Sequence, residues 1–399
     1  MRVYFSPCGI GLGHVGRCIP IAKELEKLGA QILFSSYREG LDLLKKERLP
    51  VVEVPPIGFQ VKPDGTIDFK QTTANPGPFL ASFILTEQVT AEIQNIGTFR
   101  PDVVISDSRI SPIIASKLLE IPCICILNQF QIFIPRKKRF LRLARFADSI
   151  SLALISKIWT SGITLIPDFP LPYTISMGNL NIPKAFRKRV FLIGPILPTQ
   201  PDELPDKDKL REKLDLDDRP TIFAPISGPV RERAYLIKLL EKIFSNFPEK
   251  YRIVMSLGYP DANTEPIFDD GNFRVYRWIK TNERYEYLKA CDLVVSRAGH
   301  GTISNTICYG KPMVLIPTPS HTEQLNNAKR VVEIGTAKVI KQDYLNKDIL
   351  LKAVEKTLQD EMKNRAEKVQ KEVSKLNGIK RVVEIILNVG EGNKNVLTS

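Results

Sequence analysis

Two doubly wound α/β domains facing each other across a cleft are predicted by three features of this 399-residue sequence. Short apolar runs alternate with helix-periodic stretches along nearly the whole chain, the pattern of a parallel sheet covered by helices on both faces. The alternation breaks once, at a proline-rich charged segment, and then restarts. The length also exceeds what one hydrophobic core usually serves, so two domains of similar size are expected.

Taken in order, residues 1–7 read as a strand and 14–28 as a helix with apolar Cys18, Ile21, Ala22, Leu25 and Leu28 and a stop at Gly29. The run AQILFSS is the next strand. A helix over 38–48, strand PVVEV, a helix around 78–97, strand DVVIS, helix IIASKLLE and strand CICIL continue the series. Between them FQVKPDGTIDF carries a Pro-Asp-Gly turn, expected as a hairpin beside the cleft. After VFLIG, the segment PILPTQPDELPDKDKLREKLDLDDRP holds five prolines and many charges, so it reads as an interdomain linker with a short helix in its latter half. Then come strand TIFAPIS, a helix over 232–246, strands RIVMSL and FRVYRW, a helix over 282–290, strand DLVVS, a helix from 301, strand PMVLIP and a helix over 322–333. The expected units are 1–195, linker 196–219, a second domain 220–375, and a C-terminal helix and tail 376–399 that crosses back to the first domain.

Composition narrows the function classes. Hydrophobic residues at 43% and charged residues at 25% are ordinary globular values and exclude a disordered chain. The six cysteines show no CxxC pair and lie in or beside apolar runs, so they read as reduced core thiols. MRVYFSPCGIG is too short an apolar start for a signal peptide, and no run approaches the roughly 18 to 20 residues of a spanning helix. The expected location is the cytoplasm, peripheral at the cytoplasmic face of a membrane. A formal charge of +13 favours polyanionic partners. Part of it lies in 136–158, where Lys138, Arg142, Arg145 and Ser149 share one helical face and Phe140, Leu143, Ala144, Ala147, Ile150 and Leu154 another. Such a helix suits an anionic membrane surface. A solvated helix packed on the sheet has the same pattern.

The stretch CGIGLGHVGRC follows the first strand, and Gly11, Gly13 and Gly16 fit a dinucleotide fingerprint that is weak alone. His14 at its centre suggests chemistry in the cleft. Ligands of open α/β sheets bind outside the carboxyl ends of the strands, at strand-to-helix loops. All three histidines of the chain, His14, His300 and His321, follow an apolar strand and open a helical pattern.

The run SRAGHGTISNTICYGKPMVLIPTPSHTEQLNNA, residues 296–328, resembles the donor-binding signature of GT-B nucleotide-sugar glycosyltransferases, in particular the MurG-type and UDP-glucuronosyltransferase-like groups. The matching features are the loop Gly299, His300, Gly301 and Thr302, then Gly310-Lys-Pro312, then Gln324 with Asn327. The resemblance implies the GT-B fold of two Rossmann-like domains and a nucleotide-sugar donor, with UDP preferred as its nucleotide. Free N–H groups at the helix start near Gly301 and Thr302 would hold the diphosphate without a metal. Ser227 and Gly228 resemble a second phosphate-facing loop, Trp278 and Ile279 the base site, and Glu323 and Gln324 the pair directed at sugar hydroxyls. Asn305 stands where related enzymes commonly carry a ribose-binding Glu, which leaves that contact without charge assistance.

The resemblance extends to the first domain through the Gly-rich loop and strand PDVVISD. It implies that His14 deprotonates an acceptor hydroxyl with Asp107 behind it, giving inversion at the anomeric carbon. A MurG-type alternative has the backbone at Gly11 and Gly13 hold the diphosphate of a lipid-linked acceptor while His14 assists. Asp107 could instead cap the helix that follows it. The expectation is an inverting transferase that needs neither metal nor cofactor, acts on a lipid or lipid-linked hydroxyl or phosphate, and binds no nucleic acid. Two rival readings are an NADP-dependent oxidoreductase, with Arg38 near a 2′-phosphate, and a basic nucleic-acid-binding protein. Neither accounts for residues 296–328.

Overall fold

The computed structural model describes residues 1–57, 77–128, 156–180, 182, 184–260 and 263–392. The first domain runs β1 (Arg2–Pro7), α1 (Gly13–Lys27), β2 (Gln31–Ser36), α2 (Arg38–Lys46), β3 (Val51–Glu53), α3 (Gly77–Phe99), β4 (Val103–Asp107), α4 (Ser111–Leu118), β5 (Cys123–Ile126), β6 (Ile163–Ile166), α5 (Met177–Leu180) and β7 (Val190–Leu192). Its seven strands are parallel in the order β3-β2-β1-β4-β5-β6-β7. The order reverses between β1 and β4, whose carboxyl ends place Pro7 beside Asp107. That is the switch point where such sheets take their ligands.

The linker carries α6 (Lys207–Lys213), and the second domain follows: β8 (Thr221–Pro225), α7 (Val230–Phe244), β9 (Arg252–Ser256), β10 (Pro266–Asp269), β11 (Phe273–Tyr276), α8 (Thr281–Ala290), β12 (Leu293–Ser296), α9 (His300–Cys308), β13 (Met313–Leu315), α10 (Thr322–Ile334), β14 (Ala337–Val339), α11 (Lys347–Thr357), α12 (Asp360–Val373) and α13 (Gly378–Gly390). Its sheet order is β10-β11-β9-β8-β12-β13-β14, parallel except for the antiparallel edge pair β10 and β11. Both domains are therefore the doubly wound sheets expected from the alternation.

The apolar face of α1 packs Cys18, Ile21, Ala22 and Leu25 against Val3, Phe5, Val103 and Ile105. Leu28 does not join them: it lies past the end of α1 and is 59% exposed. Val382, Val383, Ile385 and Ile386 of α13 complete this same core, so the last helix of the chain belongs to the first domain's hydrophobic cluster. A reciprocal crossing comes from the β6–β7 connection, where Phe169, Tyr173 and Ile175 are buried in the second domain's core. The Tyr173 hydroxyl donates to Glu372 and Arg330 Nε donates to the Thr174 carbonyl. Each domain thus buries apolar groups supplied by the other.

Three strands, β6, β10 and β14, are absent from the sequence reading. The hairpin expected at 59–69 and most of the basic amphipathic segment 136–158 lie outside the described residues.

Replacing Ile386, fully buried under the first sheet, by Ala should destabilise the protein by about 2–5 kcal/mol. Differential scanning fluorimetry should show a clearly lowered midpoint, whereas an unchanged midpoint would mean that α13 is not part of the first core.

Candidate active site

His14 is the second residue of α1, half-buried, and Asp107 is the fully buried last residue of β4. His14 Nδ1 lies 2.7 Å from Asp107 Oδ1. A carboxylate oxygen can only accept, so the imidazole proton sits on Nδ1 and the Nε2 lone pair is left outward. Asp107 does not cap the following helix: Ile110 is the N-cap of α4, with no side-chain cap bond. Its second partner is Arg17, one helical turn beyond His14, whose Nε reaches Oδ2 and whose Nη2 reaches Oδ1, both at 2.5 Å. Burial alone would raise the Asp107 carboxyl, but the Arg17 charge and the hydrogen bonds from Arg17 and His14 outweigh it and hold the group well below the ordinary carboxylate range.

Opposite this pair stand the loops of the second domain. Gly11 has φ +68°, a conformation that favours glycine, and a Cβ there would come within 3.5 Å of Gly228 and Pro229. The two Gly-rich loops therefore meet across the cleft, with Ser227 half-buried beside them. Helix α9 begins at His300 with Gly299 as N-cap, and no side chain caps it among the described residues. Cβ atoms built on Gly299 or Gly301 would meet nothing within 4 Å, so there is open space beside the first turn of α9. Thr302 is half-buried in the same first turn.

The remaining signature residues make contacts both within the second domain and across the cleft. The His300 ring is buried with Nε2 3.2 Å from Asp168, a fully buried carboxylate of the β6–β7 connection. Asp168 also accepts from the backbone N–H groups of Phe169, Ile175 and Ser176. His321 is the N-cap of α10, and Gln324 is buried with Oε1 accepting from the Thr318 N–H at 2.9 Å. Asn327 donates to the Ala298 carbonyl and accepts from Asn179, tying the loop before α9 to α5. Glu323 reaches across the cleft, its Oε1 accepting from Asn128 Nδ2 at 2.8 Å. Asn305 Nδ2 donates to the buried Tyr285 hydroxyl at 3.1 Å. Trp278 turns toward the first domain, packing on its core with the Lys46 ammonium 5.8 Å from the ring centroid, while the Ile279 side chain is buried in the second core. The Gly13 loop position faces open space. Among the described residues no group of three or more His, Cys, Asp or Glu could hold a metal, and no helix is long and apolar enough to cross a membrane.

Residues 231–385 match the glycosyltransferase family 28 C-terminal domain. The chain is 25% identical over 395 residues to an uncharacterized glycosyltransferase of Methanosarcina mazei, covering 97% of this chain and 98% of that one. The chain is a GT-B glycosyltransferase. The calicheamicin glycosyltransferase CalG4 has the same fold at a TM-score of 0.64, with 17% identity and 99% of both chains covered. A shorter stretch of the glycosyltransferase, 106 residues or 26% of the chain, is 41% identical to 28% of UDP-N-acetylglucosamine–N-acetylmuramyl-(pentapeptide) pyrophosphoryl-undecaprenol N-acetylglucosamine transferase from Bacillus licheniformis. Neither an oxidoreductase nor a nucleic-acid-binding protein is among these relatives.

Sequence reasoning on the glycosyltransferase missed Arg17, Asn128 and Asp168. The i, i+3 spacing of His14 and Arg17 on one helix face was a usable signal. Asp168 and Asn128 carry no local pattern that points across the cleft, since His300 and Glu323 lie more than a hundred residues from them.

Because folding depresses the Asp107 carboxyl, its stabilisation is present above the ordinary carboxylate range and is lost as the pH falls through that range toward the folded value. Asp107→Asn should therefore lower stability by about 3–5 kcal/mol at neutral pH, leaving Arg17 buried and unpaired. Thermal midpoints of parent and variant should converge below about pH 4. A constant gap across the acid range would show that the pair is not charged in the fold.

Proposed function

We propose that this enzyme is an inverting, metal-independent glycosyltransferase that moves a sugar from a UDP-sugar to a hydroxyl or phosphate of a lipid or lipid-linked acceptor. The observation that carries the reading is the 2.7 Å contact of His14 Nδ1 with buried Asp107, in a Gly-rich loop that touches the Gly228 loop of the donor domain. In this reading His14 Nε2 takes the acceptor proton as the acceptor oxygen attacks the anomeric carbon. The bond from that carbon to the donor phosphate oxygen breaks on the opposite face, and its electron pair leaves with UDP. The new positive charge on the imidazole is stabilised by Asp107 through Nδ1.

The departing diphosphate carries the charge that develops, and the uncapped first turn of α9 offers the Gly301 and Thr302 N–H groups to it with the favourable end of the helix dipole. Ser227 and Gly228 would face the same phosphates. The base would lie against the main chain at Trp278 and Ile279. Asn305, with its nitrogen on Tyr285, has its amide oxygen left for a ribose hydroxyl. Glu323 would accept from a sugar hydroxyl, while Gln324 holds the loop that presents Glu323.

The printed name of the Bacillus licheniformis relative, with its UDP-sugar donor and undecaprenol-linked acceptor, supports the choice of UDP and of a lipid-linked acceptor. The net charge of +13 supports a place at the cytoplasmic face of an anionic membrane, with the segment 136–158 as the contact. The domain division 1–195 for the acceptor and 220–375 for the donor follows from the same reading.

His14→Ala should leave UDP-sugar affinity within about two-fold of the parent while lowering turnover roughly 100-fold or more, the range for a lost general base. Calorimetry and product formation in the presence of a metal chelator make the comparison. Parent-like turnover in the variant would remove His14 from the chemistry.

A further inference from the structure

Glu323 and His14 belong to different domains, yet one chain of polar contacts joins them across the cleft. Glu323 Oε1 accepts from Asn128 Nδ2 at 2.8 Å, and Asn128 Oδ1 faces Arg17 Nη2 at 3.5 Å. Arg17 grips both oxygens of Asp107, and Asp107 Oδ1 holds His14 Nδ1 at 2.7 Å. Asn128 is only 6% exposed and sits just beyond the carboxyl end of β5.

The chemistry of the middle residue is restrictive. An amide offers N–H to a carboxylate on one side and a carbonyl oxygen to a guanidinium on the other, which no acid, amine or apolar side chain of that size can do. The contact between Asn128 and Arg17 is at the outer limit of a hydrogen bond and lies within the first domain, so the joint that depends on domain closure is the 2.8 Å bond from Asn128 to Glu323. A carboxylate has a second oxygen, so Glu323 can keep Asn128 on Oε1 and receive a sugar hydroxyl on Oε2.

We propose that Asn128 and Arg17 are positioning residues that couple donor engagement at Glu323 to the orientation of the His14–Asp107 pair, a coupling made only when the two domains are closed. This rests on the glycosyl-transfer reading above. Asn128 fixes the rotamer of Glu323 and holds the domains together at the sugar end of the cleft. Arg17 holds Asp107 on the opposite side from His14, so the imidazole is aimed when the chain of contacts is complete. UDP itself, lacking the sugar, does not reach Glu323 and should be indifferent to the coupling.

The test is a set of variants, Asn128→Asp, Asn128→Ala and Arg17→Lys, with the double variant Asn128→Ala/Arg17→Lys. Each is assayed for transfer or hydrolysis of the UDP-sugar that the parent turns over, for UDP affinity by calorimetry and for thermal midpoint. Asn128→Asp sets a second carboxylate against Glu323, so kcat/KM should fall about ten-fold or more while UDP affinity stays within about two-fold. The double variant should lose no more than about two-fold beyond its worse parent, as for residues acting through one chain. Parent-like kcat/KM in Asn128→Asp would overturn the proposal. So would additive losses in the double variant, or a parallel fall in UDP affinity and midpoint, which would make Asn128 a packing residue only. If His14→Ala abolishes turnover and the Asn128 variants do not, the coupling fails and the transfer reading stands. If His14→Ala stays active, the transfer reading itself has failed.

Discussion

A carboxylate buried at the end of a central strand is the constraint on which the site depends. Asp107 has no exposed surface, and in that position an ionised group persists only when cations and hydrogen-bond donors surround it. Arg17 and His14 supply them from the first turns of α1, which fixes how that helix docks against the sheet. The docking in turn sets the loop between β1 and α1, where Gly11 must take a left-handed conformation to reach the opposite domain. A strand end, a helix start and a glycine loop are thus held to one geometry by a single acid.

The second domain's side of the cleft is organised by a second buried acid. Asp168 gathers three backbone N–H groups of its own connection and the ring of His300 at the start of α9. Because Asp168 leaves the first domain and His300 opens α9, this contact ties the first turn of that helix to the sheet that carries Asp107. The swapped elements, α13 in the first core and the 169–175 strap in the second, tie the two domains to each other. That restraint is why side chains as short as Asn128 and Glu323 can meet across the cleft.

Much of this was legible in the sequence. The alternation of apolar runs and helical periodicity gave both doubly wound sheets, since parallel strands buried on two faces read as continuous apolar runs. What escaped were short or peripheral strands: β6 is four residues behind a long apolar stretch, all four residues of β10 are exposed, and β14 has one buried residue. The positions of His14, Asp107 and the α9 loop were readable because loop glycines and strand ends carry local signals. Arg17 and Asn128 were not singled out, and neither was the bond that Gln324 makes to the Thr318 N–H. For Arg17 and Asn128 the deciding partners, Asp107 and Glu323, are remote in sequence, and no local period reports them. Trp278 shows the same limit, since nothing near it announces that its neighbour is Lys46 of the other domain.

The central claim is a single displacement driven by the His14–Asp107 pair from the face opposite the departing diphosphate. Its most direct test is proton NMR of the reaction with the UDP-sugar that turns over, in the presence of EDTA, reading the anomeric coupling of the first-formed product. Inversion is expected, so an α-linked donor should give a β-configured product at undiminished rate without metal. A product that retains the donor's configuration, or a reaction that stops when the chelator is added, would contradict the account.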